Sequence, residues 1–92
     1  MKAIHVIITG DVQGVAFRFH AKNKALSLGI SGWVRNRLNG SVEAFFQGES
    51  SAVDAIAAWC HQGPPSALVA HVLFETATVD ASLKGFVVRS TC

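Results

Sequence analysis

Along the chain the apolar positions change period in a regular way. In "KAIHVIIT", residues 2–9, they alternate, with Ile4, Val6 and Ile8 on one side of a run rich in β-branched residues. A period of two predicts a half-buried strand. From Phe17 the period lengthens. Phe17, Ala21, Ala25 and Leu28 fall on one stripe, which predicts a helix ended by Gly29. "ISGWVRNR" and "SVEAFFQG" then flank "LNG", and Asn39-Gly40 between two such runs predicts a hairpin. A second helical stripe, Val53, Ile56, Ala57 and Cys60, is opened by Ser50 or Ser51 as N-cap and stopped by Gly63-Pro64-Pro65. "VAHVLFETATV" reads as another strand and "GFVVRS" as a short last one.

The order is therefore β-α-β-β-α-β with a short C-terminal strand. That order predicts an α+β, ferredoxin-like sandwich, with one antiparallel sheet carrying both helices on one face. At 92 residues, without an internal repeat or a linker, the chain is expected to form one domain over residues 1–92.

Composition narrows the function classes. Half the residues are apolar and 15% are charged, which is not the composition of a disordered chain. The opening apolar run is too short for a membrane-spanning helix and lacks a signal-peptide cleavage pattern. Cys60 and Cys92 lie far apart in the sequence. They offer neither a disulfide framework nor metal-ligand spacing, and a cytoplasmic location is expected. The net charge of +2 is too small for a general nucleic-acid binder. Its distribution says more. Residues 1–48 hold six Lys/Arg against Asp11 and Glu43, a balance of +4, and the remainder holds two against four acids, a balance of −2. A positive field thus lies over the first half of the chain.

That half contains "GDVQGVAFR", Gly10 to Arg18. Gly10 to Ala16 is read as a tight loop between the first strand and the first helix. Successive amides in such a turn form an anion-binding concavity, and the helix dipole adds positive potential at the same place. Arg18, in the first helical turn, presents a planar fork that pairs two phosphate oxygens at once. The loop has no Gly-Lys-Ser/Thr and no dinucleotide-type glycine spacing. A second candidate is Asn36, near the end of a strand. Its amide both donates and accepts, so it can hold a water for hydrolysis, or it can satisfy the neighbouring turn.

These two stretches resemble the two signatures of the acylphosphatase family. "ITGDVQGVAFR" is similar to the first, G-x-V-Q-G-V-x-F-R after an aliphatic residue. "GWVRN" followed by "RLNGSVEAFFQG" is similar to the second, G-W-V-x-N-x3-G-x-V-x5-G. The resemblance implies an enzyme that hydrolyses the carboxyl-phosphate bond of acyl phosphates to a carboxylate and inorganic phosphate, with no cofactor, no metal and no phosphoenzyme. It implies that Arg18 binds the phosphate and that Asn36 orients the attacking water. It also implies that the amides of Val12, Gln13, Gly14, Val15, Ala16 and Phe17 complete the cradle, and that a substrate phosphate oxygen serves as base. The expected partner is a small-molecule acyl phosphate, with no nucleic acid, no membrane and a monomeric protein.

Asp11 departs from the family pattern, where a basic or neutral residue is common. Two unit charges about 4 Å apart interact by roughly 4 kcal/mol at an effective dielectric near 20 and by about 1 kcal/mol in bulk water. Where the Asp11 side chain points decides between the two figures. His20, two residues past Arg18, reads as a surface histidine, His5, His61 and His71 as plainer still, and Cys60 as core. An RNA-binding module on the same plan would stack bases on sheet aromatics. Phe45 and Phe46 are adjacent on one strand and must point to opposite faces, so only one is available for that role.

Overall fold

The alternating run at the start of the chain becomes the central region of a five-stranded sheet. The computed structural model describes residues Met1–Cys92. The elements are β1 (Lys2–Asp11), α1 (Phe17–Ser27), β2 (Ser31–Asn36), β3 (Val42–Gly48), α2 (Ser50–Cys60), β4 (Leu68–Ala77) and β5 (Phe86–Val88). The strand order is β4-β1-β3-β2-β5. Antiparallel ladders join β1 to β3, β1 to β4 and β2 to β3. This is the expected ferredoxin-like plan, with one difference. β5 lies parallel to β2, so the sheet is mixed rather than wholly antiparallel. β4 and β5 occupy opposite edges, and the chain reverses direction between them. A strand arriving in that sense beside β2 has to run with it.

Period two places Ile4, Val6 and Ile8 on the helix-covered face of β1, where all three are buried. They meet Phe17, Ala21 and Ala25 from α1 and Val53, Ile56 and Cys60 from α2, all in one apolar cluster. Leu28 and Ala57, also on the expected stripes, are partly buried against it. Burial pushes the Cys60 thiol up to about 12, which leaves it a small inert hydrophobe. Neither Ser50 nor Ser51 caps α2. Glu49 stands at the N-cap position in an extended conformation, without a side-chain cap, and both serines lie inside the helix. Gln47, buried on β3, donates to Asp80 O and accepts from Asp80 N, each at 2.8 Å, and so anchors the crossover from β4 to β5.

The opposite face of the sheet carries a charged and aromatic cluster. Arg35 Nε donates to Glu43 Oε1 at 2.7 Å and His5 Nε2 to Glu43 Oε2 at 2.6 Å. Trp33 packs beside Phe45 and lies under the guanidinium groups of Arg35 and Arg89. Phe46 points the other way and is fully buried. His5 is thus a structural partner and not a plain surface residue. Burial pushes the Glu43 carboxyl up, but the hydrogen bonds from Arg35 and His5 outweigh it and hold the group below its usual 4.5. A carboxyl held low stabilises the fold above its unfolded pKa, and the benefit fades as pH falls through the folded value. Glu43→Gln is expected to cost about 1–3 kcal/mol in urea unfolding at pH 7. The gap between variant and wild type should close as pH falls below the ordinary carboxylate range. A gap independent of pH would assign the loss to packing alone.

Candidate functional site

The loop after β1 begins later than its glycine suggests. Gly10 and Asp11 still pair with β4, opposite Val69 and Leu68, through an irregularity between Thr9 and Gly10. Gly10 has φ of 127°, and a Cβ there would lie 2.3 Å from Leu68 O, so the close approach requires glycine. The loop proper is Val12 to Ala16. Gly14 and Ala16 are both left-handed, with φ of 73° and 61°. For a non-glycine residue such as Ala16 this conformation costs about 1–2 kcal/mol. Left-handed residues at alternate positions curl the chain as an anion-binding nest requires.

The amides of this curl have no partner within the protein. No backbone N–H from Val12 to Ala16 donates to a turn or loop carbonyl. Ala16, the N-cap of α1, offers no side-chain cap, and no acidic residue stands in the first turn. The first amides of any helix lack intrahelical acceptors. Donors are therefore concentrated where the α1 dipole is positive, which favours an anion there.

Two other elements converge on the same place. Arg18, half-buried in the first turn of α1, makes no ion pair within the protein. On β2, Arg35 faces the open side of the sheet, so by alternation Asn36 faces the helix side, at the end where α1 begins. Arg18 and Asn36 line one cleft of about 330 Å³, together with Val12, Gly14, Ala16, Phe17, Phe19, Lys22 and Val88. Asn36 Oδ1 is buried, and no protein donor reaches it. The neighbouring turn is satisfied by another residue: Asn39 Oδ1 accepts from Ser41 N at 3.1 Å and from Ser41 Oγ at 2.6 Å. Behind Asn36 the backbone is fixed, because Cys92 N donates to Asn36 O at 3.2 Å and Arg89 N to Val34 O at 2.9 Å.

Gln13 and Val15 do not line the cleft. The Gln13 amide turns away and donates to Arg37 O at 2.7 Å and to Ser41 O at 2.9 Å, tying the loop to the β2–β3 connection. Val15 packs against the core. Gln13→Ala removes both hydrogen bonds, for an expected loss of about 1–2 kcal/mol in urea unfolding. Inhibition by inorganic phosphate should weaken several-fold, since a loosened loop must be ordered on binding. Unchanged phosphate inhibition would show that the loop holds its shape without this tie. Asp11 is exposed and lies outside the cleft lining, so the smaller of the two Coulomb figures applies to it. His20 is also exposed and outside the cleft. Lys22, Phe19 and Val88 are cleft residues that the motif did not indicate. For Lys22 the available signal was its spacing of four from Arg18, which places both on one helix face.

A fold of this kind occurs in known proteins. The family model described as Acylphosphatase matches residues 4–88. The chain is 48% identical over 88 residues to an acylphosphatase of Rubrobacter xylanophilus, covering 96% of this chain and 80% of that one. The solved structure of an acylphosphatase from Coxiella burnetii superposes with a TM-score of 0.91 at 39% identity, covering 96% of this chain and 92% of the other. The acylphosphatase from Bacillus subtilis superposes with a TM-score of 0.92 at 27% identity, covering 97% and 99%. With a family match running from β1 to the end of β5, and relatives of such identity and structural likeness, this chain belongs to the acylphosphatase family.

Proposed function

We propose that residues 1–92 act as one cytoplasmic, monomeric acylphosphatase unit that hydrolyses acyl phosphates without a metal or other cofactor. Family membership carries the coarse part, that the chain is an enzyme of acylphosphatase type. The observation that supports the finer part is the convergence of Arg18, Asn36 and the unpaired loop amides on one cleft. In this reading the phosphoryl group sits against the amides of Val12 to Phe17, and Arg18 grips two of its oxygens. Asn36 holds a water in line with the phosphorus. The water oxygen forms the new P–O bond, the bond to the acyl oxygen breaks, and the carboxylate leaves with the electron pair. A phosphate oxygen takes the proton.

An acyl phosphate needs little more. Its leaving group is a stable carboxylate, and phosphoryl transfer depends mainly on positioning and charge stabilisation. The preorganised amides and one guanidinium supply these. No three His, Cys, Asp or Glu side chains come together in the fold. No helix is long and apolar enough to cross a membrane. The test is benzoyl phosphate hydrolysis, followed by loss of absorbance in the presence of EDTA. Turnover that is inhibited competitively by inorganic phosphate is the expected result. Phosphate binding without turnover would reduce the protein to an anion-binding domain.

A further inference from the structure

The cleft holds a second cation besides Arg18. Lys22 follows Arg18 by four residues on α1, and both line the cleft. Both are half-buried, and neither forms an ion pair, since the ion pairs of the protein involve Lys2, His5 and Arg35. No Asp or Glu lines the cleft. Like charges at this spacing destabilise a helix. Two uncompensated cations on one helix face therefore favour an anionic ligand.

The placement of Lys22 separates its role from that of Arg18. The loop amides and the Arg18 fork already supply donors for the phosphoryl oxygens. Lys22 lies about 6 Å further along the helix axis, at 1.5 Å per residue. Apart from the loop, Arg18, Asn36 and Lys22, the lining is apolar, from Phe17, Phe19 and Val88. Arg18 and Lys22 are the two charged side chains of the cleft lining.

We propose that Lys22 is a specificity residue, selecting acyl phosphates whose acyl group carries its own negative charge. This rests on the acyl phosphate reading given above. The test compares benzoyl phosphate with 4-carboxybenzoyl phosphate. These differ by one para carboxylate, which cannot cyclise onto the acyl carbon. The readout is the ratio of kcat/KM for the charged substrate to that for the uncharged one, in wild type, Lys22→Gln and Lys22→Arg. The ratio should fall about tenfold in Lys22→Gln, stay near wild type in Lys22→Arg, and decline in the wild type as salt is raised. An unchanged ratio in Lys22→Gln overturns the proposal, whether both activities persist or both fall together, because the lysine then acts on the shared phosphoryl group or on nothing. Failure of the wild type to hydrolyse benzoyl phosphate at all overturns the underlying reading instead, so the two failures are told apart by one column of the same experiment.

Discussion

Arg18→Lys is expected to lower kcat/KM for benzoyl phosphate by about 10³, within the range seen for removal of an arginine that neutralises a transferring phosphoryl group. The substitution keeps the charge and removes the fork. Lysine presents a strongly hydrated point charge on a flexible stem, whereas guanidinium matches two phosphate oxygens in one plane. Both KM and kcat should worsen, because in the role proposed for Arg18 the same two bonds hold the ground state and the charge that develops in the transition state. Arg18 makes no ion pair within the protein, so thermal stability should not change. A drop of less than tenfold would show that the loop amides bind the phosphoryl group without needing bidentate pairing.

Asn36→Ala is expected to separate binding from chemistry. Inorganic phosphate should inhibit the variant about as well as it inhibits the wild type, while kcat falls by about 10²–10³, the usual loss for one preorganised polar group at a reacting centre. The effect on stability is the more diagnostic result. A structural asparagine destabilises when it is removed. Asn36 Oδ1 is buried without a protein donor, a state that costs about 1–3 kcal/mol, so its removal should leave the melting temperature unchanged or raise it. An inactive variant of equal or greater stability would mark Asn36 as a residue kept for activity at the expense of stability. Loss of phosphate binding in this variant would place the side chain on the phosphoryl group and remove it from the water.

What was legible in the sequence was what is local. The loop in "GDVQGVAFR" is a run of consecutive residues between a strand and a helix, so its place in the fold follows from local order. The shift of apolar period from two to 3.6 marked both helices, and Asn39-Gly40 marked the hairpin. The remainder depends on pairs far apart in the chain. The sequence offered two asparagines near one turn, Asn36 and Asn39, and their roles separate only when Ser41 is seen to bond Asn39. Gln13 sits inside the motif, yet its side chain reaches residues 24 and 28 positions away. Glu43 finds His5 across 38 positions. The edge that β5 joins, and hence its parallel sense, follows from which side of the sheet remains open once β4 has paired with β1. Alternation within a single strand carries no record of that choice.

Val88 on β5 walls the cleft, and the segment after it fixes the backbone of Asn36. This has a kinetic consequence. The loop and α1 belong to the first third of the chain, but the ladder that seats β1 brings in β4, some seventy residues later for pairs such as Ile4 with Thr76. Folding that waits for such distant pairings is slow compared with the closing of a helix or a hairpin. During synthesis Arg18 emerges early, and the cleft it serves takes shape only after β5 has been made. Under the function proposed above, catalytic competence is therefore a report on completed folding, and a partly folded chain is not a weaker enzyme but one without a cleft.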